Sequence, residues 1–193
     1  MPASVTAIGH TIRTGFHMAV KGRTIGAAGG IGGALLLAFY LITGFEGRVD
    51  HVYPDPVTHG APWTYCDGET TDKPDFSKKY APAECDAITI ARIKALDGLV
   101  MSCVGHTLPD NGSHPLPAKV RASFDSLAWN IGGHAFCIST LAKFAKAGDL
   151  LAACNQMSRW DKVAVGGEMR QIPGLTFRRG EEQKVCLEGA RSQ

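Results

Sequence analysis

The distribution of apolar residues divides the chain into an uncharged N-terminal stretch and a longer polar and apolar body. Residues Ile25–Phe45 carry no charge and are long enough to cross a bilayer as a helix. Glycines weaken the first half of this stretch both as an anchor and as a helix, while Leu35–Leu37 and Phe39–Ile42 supply most of its hydrophobicity. The pattern predicts a weakly hydrophobic membrane segment that could insert and later leave.

The body begins with a region rich in Gly, Pro and aromatic residues and continues as helices. Short apolar pieces in residues 48–72 favour a twisted β-hairpin. A helical pattern begins at Pro82 and extends to about Cys103, with an apolar face formed by Ile88, Ala91, Ala95 and Leu99. The sequence predicts an α+β, mostly helical protein in which this helix joins a small β-hairpin lobe to a helical C-terminal lobe.

Apolar spacing and capping residues predict three more helices. The first carries Val120, Phe124, Leu127 and Ile131 on one face and ends at Gly132-Gly133. The signals for the other two are a cap at Ser139 or Thr140, a stop at Gly148, and a cap at Asp149 before a helix toward Trp160. The C-terminal lobe is therefore predicted to be a helical bundle.

Charge is distributed unevenly. Residues 1–24 carry Arg13, Lys21 and Arg23 and no acid, which leaves 17 basic and 18 acidic residues from Glu46 onward. A nearly neutral body lacks the basic face of a nucleic-acid-binding protein, so nucleic acid is not an expected partner. The basic flank predicts a cytoplasmic N-terminus and an exported body.

Two other interpretations of the N-terminal stretch stay open. A cleaved signal peptide is disfavoured because residues 41–46 contain no A-x-A-like site. A permanent anchor is compatible with the hydropathy. The native start is either Met1 or Met18, because a compact basic region also follows Met18.

Three side chains that follow the apolar stretch have the chemistry of glycoside hydrolysis. Glu46, Asp55 and Thr64 are each separated from the next by eight residues. Two carboxyl groups and a hydroxyl are the parts needed to cleave a glycosidic bond with an activated water. The alternative is a surface acid and two turn residues, since Asp-Pro is common in turns.

Several blocks of residues, in one order, resemble a known family. The blocks are Glu46-Gly47, Tyr53-x-Asp55-Pro56, Trp63-Thr64, Ala81-Pro82-Ala83-Glu84-Cys85, Trp129-Asn130-Ile131-Gly132, Ser139-Thr140-Leu141, Arg159-Trp160 and Gly174-Leu175-x-x-Arg178-Arg179. From Phe45 to about Gly189 the chain resembles the phage-type lysozymes of glycoside hydrolase family 24. With its weakly hydrophobic N-terminus, it is similar to endolysins of the signal-arrest-release type, which are tethered to the membrane and become active on release.

The resemblance implies a two-lobed lysozyme-like fold and a muramidase that needs no cofactor or metal. Glu46 would be the general acid at the bond between N-acetylmuramic acid and N-acetylglucosamine, and Asp55 and Thr64 would hold the attacking water, with inversion. Arg178 would support the acid. The alternative for Arg178 is an exposed pair with Arg179 beside two glutamates.

The resemblance also implies an organisation and a location. Residues 1–24 would be a cytoplasmic flank, residues 25–45 the releasable segment, and residues 46–190 the catalytic domain. The protein would lie in the host inner membrane and then, after release, in the periplasm as a monomer. Its partners would be peptidoglycan, the inner membrane, and a holin or pinholin that cooperates in lysis.

One departure from the family concerns Glu69, which stands in Thr64-Tyr65-Cys66-Asp67-Gly68-Glu69-Thr70 where the family usually has a histidine. A second carboxylate near Glu46 would disfavour ionisation of both and would oppose the effect of Arg178. The interval between Asp55 and Thr64 is also longer than in many relatives, so a larger hairpin turn is expected.

All six cysteines follow the apolar segment, which fits an oxidising compartment. By position in the family fold, the resemblance implies the pairs Cys66–Cys85, Cys103–Cys186 and Cys137–Cys154. Because the segment itself has no cysteine, release would need no disulfide exchange. The scattered histidines, which include His51, His59, His106 and His114, do not form a pattern typical of a metal site.

Three other functions are weighed against hydrolysis. A lytic transglycosylase cuts the same glycan but leaves Asp55 and Thr64 without a role. A noncatalytic peptidoglycan-binding module is possible if the changes at Glu69 and in the hairpin have disabled the site. A membrane-disrupting N-terminal peptide is disfavoured because the segment has few cations and no strongly polar face.

Overall fold

The computed structural model describes residues 31–55, 60–105 and 116–192. Its helices are α1 (Ile31–Phe45), α2 (Pro82–Cys103), α3 (Ala118–Ile131), α4 (Gly133–Cys137), α5 (Thr140–Lys146), α6 (Leu150–Asn155) and α7 (Pro173–Ala190), with a short 3-10 helix at Met157–Trp160. Its strands are β1 (Val49–Asp55), β2 (Gly60–Cys66), β3 (Glu69–Thr71), β4 (Lys162–Val165) and β5 (Glu168–Gln171). The α+β, mostly helical prediction is confirmed.

The predicted hairpin is the first half of a three-stranded antiparallel sheet in the order β1-β2-β3. Tyr53 pairs with Thr64, and Thr64 pairs in turn with Thr70. The pairing of β1 with β2 shifts between Pro54 and Asp55, next to the hairpin turn, whose residues 56–59 lie outside the described part of the chain. The strand β3 and the separate β4-β5 hairpin were not predicted.

Helix α2 has the predicted bounds but a different buried face. Pro82 occupies the first turn, where its missing N–H costs nothing. The predicted face is wrong, because Ala91, Ala95 and Leu99 are exposed. The residues of α2 that are buried are Cys85, Thr89, Ile93, Asp97, Val100 and Met101. Hydrophobic periodicity failed because half of this face consists of a disulfide cysteine, a hydroxyl and a carboxylate.

Helix α3 lies at the centre of the helical lobe and packs against α1, α2 and α7. Val120, Phe124 and Leu127 of its predicted face are completely buried. The polar residues Arg121, Ser123, Asp125 and Ser126 are buried as well, which leaves no solvated side over most of the helix. It ends as predicted, with Gly132 at φ +87°, a conformation that favours glycine.

The predicted caps of the next two helices are confirmed. The Ser139 hydroxyl accepts a hydrogen bond from the backbone N–H of Ala142, and the Asp149 carboxylate accepts one from that of Ala152. Gly148, at φ +84°, separates α5 from α6. The last predicted helix ends at Asn155, short of Trp160, which belongs to the 3-10 helix.

Helix α1 contains the second half of the apolar segment and packs on the helical lobe. Ala38, Leu41 and Ile42 are buried against a cluster that includes Ile93 and Trp129. Full burial of one large aliphatic side chain contributes about 2 kcal/mol. Across residues 31–55, 60–105 and 116–192, no helix has the length and hydropathy needed to span a membrane. Of the apolar residues of α1, Ala38, Leu41 and Ile42 belong to the core, while Leu36 and Tyr40 are exposed.

Three disulfides brace the described structure, and only one of the three implied pairs is confirmed. Cys66–Cys85 joins β2 to α2. The pairs Cys103–Cys186 and Cys137–Cys154 are wrong, because the observed bonds are Cys103–Cys137 and Cys154–Cys186. The C-terminal end of α2 packs against α4, and α6 packs against α7, so the cysteines on these neighbouring helices meet at Cα separations of 5.1 and 5.6 Å.

A buried polar cluster joins α2 to α3. The Arg121 guanidinium donates two hydrogen bonds to the Asp97 carboxylate, and Asp125, one turn after Arg121, is completely buried. Desolvation raises the pKa of Asp125 well above its ordinary value, and the negative charge of Asp97 raises it further, against the opposing effect of Arg121. The folded protein therefore favours the neutral acid at this position.

The contribution of Asp125 to stability is expected to fall as pH rises, because the unfolded chain loses the Asp125 proton near its ordinary pKa of about 3.9, whereas the folded chain keeps it to a higher pH. Between the two pKa values, this group lowers the free energy of unfolding by about 1.4 kcal/mol per pH unit. Asp125→Asn should remove that contribution and be more stable than wild type above neutral pH. Urea unfolding at several pH values measures the slope. The exposed Asp72→Asn is the control; an equal slope in Asp125→Asn and wild type would contradict the assignment.

Candidate active site

Glu46 lies immediately after α1, at the junction with the three-stranded sheet. Its backbone N–H donates to the carbonyl of Ile42 at 3.0 Å, the last hydrogen bond of the helix. Its side chain is one-quarter exposed, and its Oε1 accepts a hydrogen bond of 2.7 Å from Nη1 of Arg178. A carboxyl group that is fixed at one oxygen and partly open to solvent can meet a substrate at its other oxygen.

Arg178 is a buried residue of α7, and a network holds its side chain. Its Nε donates to Oε1 of Glu182 at 3.0 Å, and its Nη2 donates to the Ser126 carbonyl at 3.3 Å. The Ser126 hydroxyl donates to the same Glu182 oxygen at 2.6 Å. The alternative of an exposed arginine pair is wrong, because Arg178 and Arg179 are only 6% and 1% exposed.

The network contains two arginines, Arg178 and Arg179, and two acidic side chains, Glu46 and Glu182. Arg179 forms an ion pair with Glu182 at 3.0 Å and donates to the Asn130 side chain at 2.9 Å. Burial lowers the pKa of Arg179 to about 10, Glu182 opposes that shift, and the positive charge of Arg178 adds to it. Glu182, Ser126 and Asn130 were missed as members of the site. The spacing of Glu182 from the two arginines, three and four residues along a helix, was the available signal.

The hairpin carries the other two residues that were predicted to be catalytic. Asp55 ends β1 opposite Gly60, and the described structure extends to its backbone but not to its side chain. Thr64 lies within β2 and is 6% exposed. Its hydroxyl makes no hydrogen bond to the described residues, and a buried hydroxyl without a protein partner is a group that binds ordered water in folded proteins.

The turn between β2 and β3 runs alongside Glu46. A Cβ atom at Gly68 would lie 3.6 Å from Oε2 of Glu46, while Arg178 binds Oε1. Glu69, which was predicted to be a second carboxylate near Glu46, forms an ion pair with Arg92 at 3.1 Å. Burial raises the pKa of Glu69, Arg92 opposes the shift, and the nearby carboxylate that adds to it is Asp67.

The described residues contain no group of three or more His, Cys, Asp and Glu side chains placed to hold a metal ion. His51 is exposed and hydrogen-bonds to Asp50, while His59, His106 and His114 lie outside the described ranges.

Residues 43–182 match the family model described as phage lysozyme. The chain is 34% identical to the SAR-endolysin of Enterobacteria phage P21 over 164 residues, which cover 82% of this chain and 90% of that protein. It is 32% identical to the SAR-endolysin of Bacteriophage PS34, over 89% of this chain and 96% of the relative.

Two solved structures share the fold at low sequence identity. The muramidase domain of SpmX from Asticaccaulis excentricus superposes with a TM-score of 0.67 at 22% identity, over 78% of this chain and 94% of that domain. The endolysin from Escherichia coli O157:H7 phage FAHEc1 gives a TM-score of 0.66 at 24% identity, over 79% and 91%. The lysozyme-like fold predicted from the sequence is thereby confirmed.

Proposed function

Because the chain belongs to the phage lysozyme family, we propose that it is an endolysin that hydrolyses the β-1,4 bond between N-acetylmuramic acid and N-acetylglucosamine in peptidoglycan. The observation that supports this most strongly is the position of Glu46, which is partly exposed at the end of α1 and held through one oxygen by a buried arginine. A general acid in glycoside hydrolysis needs both a fixed carboxyl and an open side toward the substrate.

In the proposed reaction, Glu46 donates its proton to the glycosidic oxygen as the bond from that oxygen to C1 of N-acetylmuramic acid breaks. Asp55 accepts a proton from a water molecule that attacks C1 from the opposite face, and Thr64 orients this water. One water is consumed; its hydroxyl joins C1, and the leaving sugar keeps the proton from Glu46. Attack from the opposite face inverts the configuration at C1.

Arg178 is proposed to fix the orientation of the acid. Its hydrogen bond to Oε1 of Glu46 leaves Oε2 as the oxygen that carries the acidic proton toward the substrate. Glu182 and the Ser126 carbonyl hold the guanidinium, so the arginine cannot easily follow a rotation of the carboxyl group. Orientation of this kind contributes to rate because the reacting groups begin close to the reactive geometry.

Analysis of the products tests the reaction. Purified residues 25–193 are incubated with peptidoglycan, and the released fragments are identified by mass and by reduction. Hydrolysis predicts fragments with reducing ends, of which the first formed has the inverted anomer. Anhydro ends would instead identify a lytic transglycosylase, and binding without release would identify a noncatalytic wall-binding protein.

We propose that residues 1–24 remain in the cytoplasm, that residues 25–45 first lie in the host inner membrane, and that residues 46–190 reach the periplasm. Two relatives named SAR-endolysins support this. The packing of α1 makes a membrane-inserted state and the docked state mutually exclusive, because Leu41 and Ile42 cannot lie in lipid while they are buried against Ile93. The tethered protein would be inactive, and release on membrane depolarisation by a holin or pinholin would dock α1 and position Glu46.

Replacing Gly29, Gly30, Gly32 and Gly33 by Leu is expected to trap the protein in the membrane and to delay lysis. Added hydrophobicity should favour insertion by roughly several kcal/mol, while a Cβ atom added at Gly32 would meet no atom of the described residues within 4 Å, which leaves space for a side chain among them. Cell fractionation and the time of lysis are the measurements. The same four glycines changed to Ala provide a control for helix propensity. A Leu variant that stays in the membrane and lyses cells on time would contradict control by release.

A further inference from the structure

The segment Cys66–Glu69, here called the acid-facing turn, has a strained backbone beside the proposed acid. Gly68 has φ +89°, and Cys66 has φ +50°, which is uncommon for a residue with a side chain. Glycine adopts a positive φ without strain, whereas a residue with a side chain keeps one only where its surroundings impose it. Gly68 of this turn lies next to Oε2 of Glu46. The contacts that hold the turn in place therefore also fix the surroundings of that oxygen.

One face of α2 holds each residue of the acid-facing turn. Cys85 forms the disulfide with Cys66, and one helical turn later the Thr89 hydroxyl donates to Asp67 at 2.9 Å. Arg92 follows three residues after Thr89. These three positions share a face of the helix because their spacings are four and three residues. Successive residues of the turn are therefore attached to successive positions along one face of α2.

Arg92 binds Gly68, the residue of the turn that lies beside Glu46. Its Nη1 donates to the Gly68 carbonyl at 3.3 Å and to Oε2 of Glu69 at 3.1 Å. Its guanidinium lies 4.2 Å from the centre of the Trp129 ring, an arrangement that favours a cation. Arg92 thus connects the acid-facing turn to α3 of the helical lobe through one side chain.

We propose that Arg92 is a positioning residue for the acid, acting through the Gly68 carbonyl. The inference rests on the proposed function of Glu46. With Oε1 bound to Arg178, Oε2 is the proton-bearing oxygen and the Gly68 backbone is its neighbour. Loss of the hydrogen bond from Arg92 lets the turn move away from Oε2 and admits water there. A displacement of about 1 Å at a reacting group can lower the rate by roughly 10²-fold.

Four variants separate positioning from simple stabilisation. Arg92→Ala should lower kcat on soluble peptidoglycan fragments by roughly tenfold to a hundredfold with little change in KM. Arg92→Lys should keep most of kcat, because an ammonium still donates to the Gly68 carbonyl. The double variant Glu69→Arg with Arg92→Glu should regain thermal stability through the reversed ion pair but not kcat, because a carboxylate cannot donate to a carbonyl. Arg170→Ala, which removes an exposed ion pair of 3.4 Å with Glu168, is the control.

The outcomes are distinct. Wild-type kcat in Arg92→Ala, or recovery of kcat together with stability in the charge-reversed double variant, would overturn the positioning role and leave the proposed function intact. A wild-type protein that releases no reducing ends would overturn the proposed function, and the positioning role with it. The inference is supported if Arg92→Ala lowers kcat, Arg92→Lys keeps it, and the charge-reversed double variant does not restore it. This holds even where the Ala variant is less stable.

Discussion

Glu46→Gln is expected to lower peptidoglycan hydrolysis by roughly 10²- to 10⁴-fold, the range that general acids supply. The amide cannot donate the proton that the leaving oxygen needs. Its carbonyl oxygen can still accept the hydrogen bond that Arg178 now makes to Oε1, so the fold should survive. Release of reducing ends from peptidoglycan and the thermal midpoint of each protein are the measurements.

Glu84→Gln is the matched control for this loss. Glu84 lies in the first turn of α2 and pairs with Lys78 at 2.6 Å, with both side chains about two-fifths exposed. Its replacement by Gln should leave the activity unchanged. Retention of most activity by Glu46→Gln would exclude Glu46 as the acid, and a comparable loss in Glu84→Gln would show that the assay responds to general changes in charge.

Glu182→Gln should destabilise the protein by about 3–5 kcal/mol, the cost typical of removing one partner from a buried ion pair. Glu182 is completely buried and is shared by Arg178 and Arg179. The amide preserves shape but leaves two buried guanidinium groups facing one fewer negative charge. Activity should also fall, because Arg178 then loses an anchor. Urea unfolding followed by circular dichroism measures the first effect.

Glu188→Gln controls for the loss of an acid on the same helix. Its carboxylate pairs with Lys119 at 3.1 Å, and both side chains are about half exposed, so solvent screens the pair and its removal should cost less than about 1 kcal/mol. Similar destabilisation by Glu182→Gln and Glu188→Gln would argue against a special role for the buried network.

Local signals predicted the helices well because capping and backbone conformation depend on neighbouring residues. Ser139, Asp149 and Gly132 each act within four residues of their position. The buried face of α2 was predicted wrongly because its partners lie far along the chain, as Cys66 does for Cys85. The same reason explains the two wrong disulfides, since the pairing of cysteines depends on which helices become neighbours.

Family resemblance, rather than spacing, supplied the link between Glu46 and Arg178, which are 132 residues apart. The contact between them follows from the structure, while the catalytic roles of Glu46, Asp55 and Thr64 stay predictions. Glu69 shows the limit of reasoning by position. Glu69 stands where the family usually has a histidine, which suggested that its carboxylate lies near Glu46. The ion pair that Glu69 forms is with Arg92 on α2.

Helix α1 lies outside the loops of chain that the three disulfides close. The three disulfides close loops with sequence separations of 19, 34 and 32 residues, and all of them begin after Phe45. Loops of this size restrict the unfolded chain by about 3–4 kcal/mol each in the chain-entropy treatment. Under the release proposed above, the residues after α1 would be the receptor for that helix, and activation would be an intramolecular binding step whose speed depends on the local concentration of one helix rather than on the folding of a domain.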